Sequence, residues 1–167
     1  MKTLGLDAST TTVGYAFVED KKVIDIGFIP IHKEKTIRDK VEVTLDEINK
    51  LDPFDEIDKI YIEDSLSGFM QGRTSQQTII KLAKFNAVLV YCLEFAYGEI
   101  VIGLNPMTAR KSLFGKARKQ GVSAKDFGKE EINCLNSLEE YVKLTKTGLW
   151  DKRNMDSYDA LVCALYE

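Results

Sequence analysis

Hydrophobic and polar positions alternate in the first thirty residues and then change period. Residues 3–7 (TLGLD), 12–18 (TVGYAFV) and 22–31 (KVIDIGFIPI) are short, rich in β-branched and aromatic side chains, and separated by Ser-Thr and Asp-Lys-Lys turn chemistry; they predict a β-meander. From 34 to 51 the spacing becomes helical, with Ile37, Val41, Leu45, Ile48 and Leu51 recurring every three or four residues before Asp52-Pro53 stops the run. Residues 57–62 (IDKIYI) predict a strand ending on Glu63-Asp64, followed by a Gly- and Ser-containing loop through Arg73. No breaker occurs from Thr74 to about Ala96, and apolar residues cover more than half the circumference of the helix predicted there, which implies wide burial. Residues 100–104 (IVIGL) give another strand, and Asn105-Pro106 supplies an N-cap with proline at the first helical position. A stretch with Gly115, Gly121 and Gly128 then leads to a helix from about Lys129, and Asn154 is read as the cap of a last helix. The predicted order is βββαβαβααα, an α/β fold without internal repeat or dividing linker.

Composition narrows the class. A chain of 167 residues with 44% hydrophobic and 29% charged residues fits one soluble globular domain, 1–167. Cys92, Cys134 and Cys163 are odd in number and widely spaced among apolar residues, so they read as reduced core residues and favour neither a disulfide framework nor a zinc site. No apolar run reaches the roughly 20 residues of a membrane span, and a cytoplasmic location is expected. The net charge of −3 is unlike that of many nucleic-acid binders, but the charge is segregated: Arg110 to Lys119 (RKSLFGKARK) carries five cations and no acid, while acids gather at 42–64 and 126–140.

Four carboxylates stand out by position. Asp7 and Glu63 each close an apolar strand, where an unpaired charge is expensive. Asp156 and Asp159 are spaced i,i+3 on the last helix, which puts them on one face at a Cβ separation of about 5–6 Å. Taken singly, each is as consistent with a turn cap or a favourable place in a first helical turn. Taken together, a divalent cation resolves both the repulsion and the burial. Hard Mg²⁺ or Mn²⁺ takes oxygen ligands, and two ions per site held by four carboxylates clamp a phosphodiester. The only histidine, His32, lies beside the meander without a catalytic partner and reads as a surface residue.

The segments LGLDASTTTVGYA (4–16), IYIEDSLSGF (60–69), NPMTARKSLFGK (105–116), KEEI (129–132) and NMDSYDALVCALY (154–166) resemble successive motifs of the RuvC family of Holliday-junction resolvases. The resemblance spans nearly the whole chain, and its somewhat divergent motifs look like those of a phage-encoded or organelle-type member. It implies a ribonuclease-H-like fold: a mixed five-stranded sheet, three antiparallel strands then two parallel, flanked by helices. It also implies a metal-dependent endonuclease that cuts branched DNA to 5′-phosphate and 3′-hydroxyl ends. Asp7, Glu63, Asp156 and Asp159 match the metal-binding acids, and Arg110, Lys111 and Lys129 fall where the family places cations near the scissile phosphate. Leu66 and Phe69 stand near the place of the aromatic wedge that enters the junction centre. Asp64 departs from the pattern by placing an acid directly after Glu63. It either faces away by strand alternation, joins the metal ligands, or is a solvated loop acid.

DNA binding is expected from Arg73, Arg110, Lys111, Lys116, Arg118 and Lys119, aided by Lys33, Lys35, Arg38 and Lys40, because phosphate neutralisation dominates nucleic-acid affinity. A four-way junction is two-fold symmetric and two equivalent cuts need two sites, so a homodimer is expected, with the 74–96 helix as its interface unless that helix lies inside the monomer core. Action on forks or RNA–DNA hybrids is the alternative within the fold. The actin-like ATPase and sugar-kinase group shares the first hairpin, but it requires a second lobe that 167 residues do not house.

Overall fold

The computed structural model describes residues 1–51, 57–64, 75–98, 100–135, 138, 141–148 and 150–166, without the side chains of 125, 134 and 135. Leu66, Phe69 and Arg73 lie outside the described residues. The meander forms as its alternation predicts: β1 (Lys2–Ala8), β2 (Thr12–Glu19) and β3 (Lys22–Pro30) pair antiparallel. Strand β4 (Lys59–Glu63) then pairs parallel with β1, and β5 (Val101–Leu104) parallel with β4. The sheet order is β3-β2-β1-β4-β5, three antiparallel strands followed by two parallel ones. The helices are α1 (Ile37–Leu51), α2 (Gln76–Tyr97), α3 (Pro106–Phe114), α4 (Ala124–Leu135) and α5 (Asn154–Ala164).

The period-2 alternation of the strands sends side chains to two separate cores. Leu4, Leu6 and Ala8 of β1 face one side, with Phe17, Ile60 and Ile62, and meet Val41 and Ile48 of α1 and Leu82, Phe85, Leu89 and Leu93 of α2. Ala16, Val18 and Ile26 face the other, against Ala109 of α3, Ile132 of α4 and most of α5. The sheet therefore lies between two helical layers. Burying either apolar layer stabilises the fold at roughly 25 cal/mol per Å² of apolar surface removed from water.

Three expectations need correction. Helix α4 begins at Ala124, not near Lys129. The Ser123 Oγ accepts from the Asp126 amide at 3.1 Å and donates to the Asp126 carboxylate at 2.6 Å, an N-terminal lock that outweighs the low helix propensity of Gly128. Asn154 does not cap α5. Its Nδ2 donates to the Lys143 and Asp151 carbonyls, and its Oδ1 accepts from the Lys143 amide, so it ties the 143 segment to the start of the helix. Helix α2 is not buried all round: Ile80, Val88, Tyr91 and Phe95 are exposed, Phe95 by 84%. Its buried stripe covers the sheet and α1, with Val90, Cys92 and Tyr97 half-buried beside it, while Ile80, Val88, Tyr91 and Phe95 face outward. Cys163 is buried and Cys92 half-buried, both reduced. No helix among the described residues is long and apolar enough to cross a membrane.

Candidate active site

The site is built where the two parallel strands end. Gly5 of β1 lies opposite Tyr61 of β4 and Leu6 opposite Ile62, so the next step of the ladder brings Asp7 and Glu63 side by side on the face that α5 covers. That helix comes close because two strand positions lack a side chain. A Cβ at Gly5 would sit 2.1 Å from the Ala160 carbonyl oxygen, and one at Gly14, the cross-strand neighbour of Asp7, 2.1 Å from the carbonyl oxygen of Asp156. Helix backbone thus lies directly on strand backbone, which only glycine permits here.

This approach delivers Asp159. One carboxylate oxygen each from Asp7, Glu63 and Asp159 lie within 4.8 Å of one another, with Asp7 and Asp159 buried and Glu63 half-buried. Asp156, the fourth expected acid, is half-buried and outside this cluster. An i,i+3 spacing keeps a helical face but moves along it by most of a turn, about 4.5 Å at 1.5 Å per residue. Asp64 is also outside it: its amide donates to the Leu104 carbonyl at 2.7 Å, continuing the β4–β5 pairing.

Arg110, expected beside the scissile phosphate and among the DNA-binding cations, is only 4% exposed and its Nη2 donates to the Asp159 Oδ1 at 2.6 Å. Helix α3, capped by Asn105 through the Met107 and Thr108 amides, carries it inward. Gly128 of α4 leaves the room, since a Cβ there would come within 3.2 Å of the Arg110 Nε. The sign of the arginine was legible but its direction was not.

The donor set fits a divalent metal. It consists of carboxylate oxygens alone, the ligands of hard cations. The three carboxylates share a largely buried place with the Arg110 guanidinium, and a divalent ion is the counter-charge that such a set of oxygens takes. Cys163, on α5 one turn beyond Asp159, senses the same field. Burial pushes its thiol up, and Glu63, Asp7 and Asp159 push it further, so it stays a neutral packing group beside Tyr61 and Leu104.

The other expected cations are spread around this centre. Lys129 lies over the Trp150 ring, 4.1 Å from its centroid, and Lys116 lies 5.5 Å from that of Phe127 and 4.0 Å from Glu131. Lys111, Arg118 and Lys119 are exposed, as is His32. Sequence reasoning missed Trp150 and missed Asp151, which braces the start of α5: its carboxylate accepts from the Arg153 amide and side chain. The Arg153 guanidinium holds Asp151 down at about 2. The Asp-x-Arg pattern at 151–153 was the available signal.

No protein-family model matches the chain. It is 30% identical over 129 residues to the crossover junction endodeoxyribonuclease RuvC of Aliarcobacter butzleri, covering 74% of this chain and 79% of that relative. Against the Campylobacter jejuni RuvC (serotype O:6) the identity is 26% over 169 aligned positions, 99% and 94% of the two chains. Among solved structures, Thermus thermophilus RuvC in complex with a Holliday junction superposes with a TM-score of 0.69 at 15% identity, over 99% of this chain and 91% of that one. The yeast mitochondrial Holliday junction resolvase Ydc2 gives 0.59 at 16%, over 98% and 77%. The structural matches carry the ribonuclease-H-like fold and the sequence relatives carry the kinship: this chain belongs to the RuvC family of crossover junction endodeoxyribonucleases.

Proposed function

We propose that residues 1–167 form a single ribonuclease-H-like nuclease domain that resolves four-way DNA junctions by divalent-metal-dependent hydrolysis of phosphodiester bonds, leaving 5′-phosphate and 3′-hydroxyl ends. The observation that carries this is the convergence of Asp7, Glu63 and Asp159 at the ends of two parallel strands in a chain of this family. The names of its relatives favour a junction over an RNA–DNA hybrid and over the actin-like ATPases.

Asp7, Glu63 and Asp159 would hold Mg²⁺ or Mn²⁺, with Asp156 on the preceding turn of α5 as the carboxylate for a second ion. When bound, such ions supply Lewis acidity toward the phosphate and make a water acidic enough to act as nucleophile near neutral pH. The protein's own share is placement. Arg110 fixes the rotamer of Asp159 through a buried charge-assisted hydrogen bond and so acts as a positioning residue. Lys129, stacked on Trp150, and Lys111 offset charge developing on the non-bridging oxygens, work in which one well-placed group contributes about 3–4 kcal/mol. Lys116, Arg118 and Lys119 hold flanking phosphates; Leu66, Phe69 and Arg73, outside the described residues, are assigned to DNA contact from the sequence alone.

A homodimer supplies the two sites that two symmetric cuts require. The outward apolar face of α2, with Ile80, Val88, Tyr91 and Phe95, is the surface that a second copy would cover. The test is incubation with labelled four-way junction, fork, duplex and RNA–DNA hybrid, with and without Mg²⁺ or Mn²⁺. Paired symmetric nicks on the junction, lost in EDTA and in Asp7→Asn, are expected. Cleavage of the hybrid alone would replace this reading with a ribonuclease H, and cleavage of nothing would end it.

A further inference from the structure

The carboxylates are not the only feature at this end of the sheet. On the opposite face, between the turn joining β1 to β2 and the first turns of α1 and α2, lies a cleft of about 510 Å³. Among the described residues, Lys35, Lys40, Lys81 and Lys84 line it, with Glu34 the only acid. These four ammonium groups and one carboxylate sum to three positive charges in one concavity of a chain whose net charge is −3. Such a concentration is unfavourable for the folded protein alone and favourable for capturing a polyanion.

The lysines are not held for one another. The Lys40 ammonium donates to the Thr10 carbonyl in the β1–β2 turn. Burial pushes Lys40 down from its ordinary value, an effect opposed by Glu34 and reinforced by Lys81. Lys35, Lys81 and Lys84 make no ion pair among the described residues, and Lys35 and Lys81 are exposed. Helix α2 adds the positive end of its dipole, since Thr78 in its first turn also lines the cleft. Thr10 is three residues beyond Asp7, so a chain of phosphates leaving the carboxylates across this turn runs into the cleft.

We propose that this cleft is a phosphate-binding subsite that grips the backbone of a DNA arm where it passes over the β1–β2 turn, away from the bond that is cut. This rests on the reading of the chain as a junction endonuclease. The test measures binding of labelled four-way junction without divalent metal across a salt series, beside cleavage at saturating protein with metal. The proteins are wild type, the single Lys81→Ala, the cleft double Lys81→Ala/Lys84→Ala, the graded Lys81→Glu, and a control, Lys22→Ala/Lys50→Ala, at the opposite end of the molecule. The cleft double should bind roughly tenfold more weakly and flatten the log K against log salt slope by about one unit per lysine. Lys81→Glu should weaken binding further than a single Lys81→Ala, and cleavage at saturation should stay within twofold. Binding by the cleft double that equals wild type, or an equal loss in the control double, overturns the subsite while wild-type cutting leaves the nuclease standing. A wild type that neither binds nor cuts the junction overturns both.

Discussion

Helices α5 and α2 flank the same sheet on opposite faces and are both apolar, yet they are packed in different ways. Helix α5 lies backbone to backbone on Gly5 and Gly14 and is buried continuously from Ser157 to Ala164. Helix α2 packs on the sheet through the buried stripe Leu82, Phe85, Leu89 and Leu93, flanked by the half-buried Val90, Cys92 and Tyr97, and leaves Tyr91 and Phe95 to solvent. A helix that must place a carboxylate among two others gains from an approach with no side-chain layer to adjust, since close-packed interiors transmit small shifts. A helix that offers a surface to another chain needs only one anchored stripe. The first arrangement places a carboxylate, and the second leaves an apolar face open to solvent.

The sharpest way to break this comparison is at the acids that α5 and the strands bring together. Asp7→Asn and Asp159→Asn are each expected to slow single-turnover cleavage of a four-way junction by roughly 10²–10³-fold or more, while Asp156→Asn costs less because it lies outside the cluster. Equal losses for all three would mean that the three-carboxylate arrangement does not describe the working site. Next in size is the packing itself. Gly5→Ala puts a methyl group against the Ala160 carbonyl and should cost about 1–3 kcal/mol or more, read from chemical denaturation. It should also reduce cleavage beyond what the lost folded fraction explains.

Much of this was legible in the chain. The switch from period 2 to helical spacing near residue 34 and the Asn105-Pro106 start report local physics, and they placed the elements in order. The positions of Asp7 and Glu63 at strand ends were equally readable, because a charge closing an apolar strand is costly unless something uses it. What escaped depends on distant neighbours. Arg110 sits in a run of five cations, and nothing local says that α3 turns it inward to Asp159 or that Gly128 clears its path. The apolar circumference of α2 was legible too, but hydrophobicity around a helix does not say which part packs on its own sheet and which part faces outward.

Smaller effects test the start of α5. Asp151 has its carboxyl held at about 2 by Arg153, against an ordinary value of 3.8. A depressed folded-state value means stability that is present above the unfolded value and lost as pH falls from about 4 through 2. Arg153 is partly exposed, so solvent screening discounts the contribution to about 1–2 kcal/mol. Asp151→Asn should remove it at neutral pH and flatten the acid limb of the stability curve over that window. An unchanged acid limb would show that the segment before α5 is held by Asn154 instead.

The smallest expected change in the fold comes from the largest exposed apolar side chains. Tyr91→Glu with Phe95→Glu on α2 should alter monomer stability by no more than about 0.5 kcal/mol for each site, as at other surface positions, because neither ring packs into the core. The same double variant should convert a dimer to a monomer in light scattering, and paired nicks on a junction to uncoupled single nicks. Helix α5 answers oppositely, since a charge at Leu161, fully buried against the sheet, unfolds the protein before assembly is at issue. If the α2 variant instead lowered stability by several kcal/mol while remaining at the wild-type mass, its outer face would be part of the fold and the contrast between the two helices would disappear.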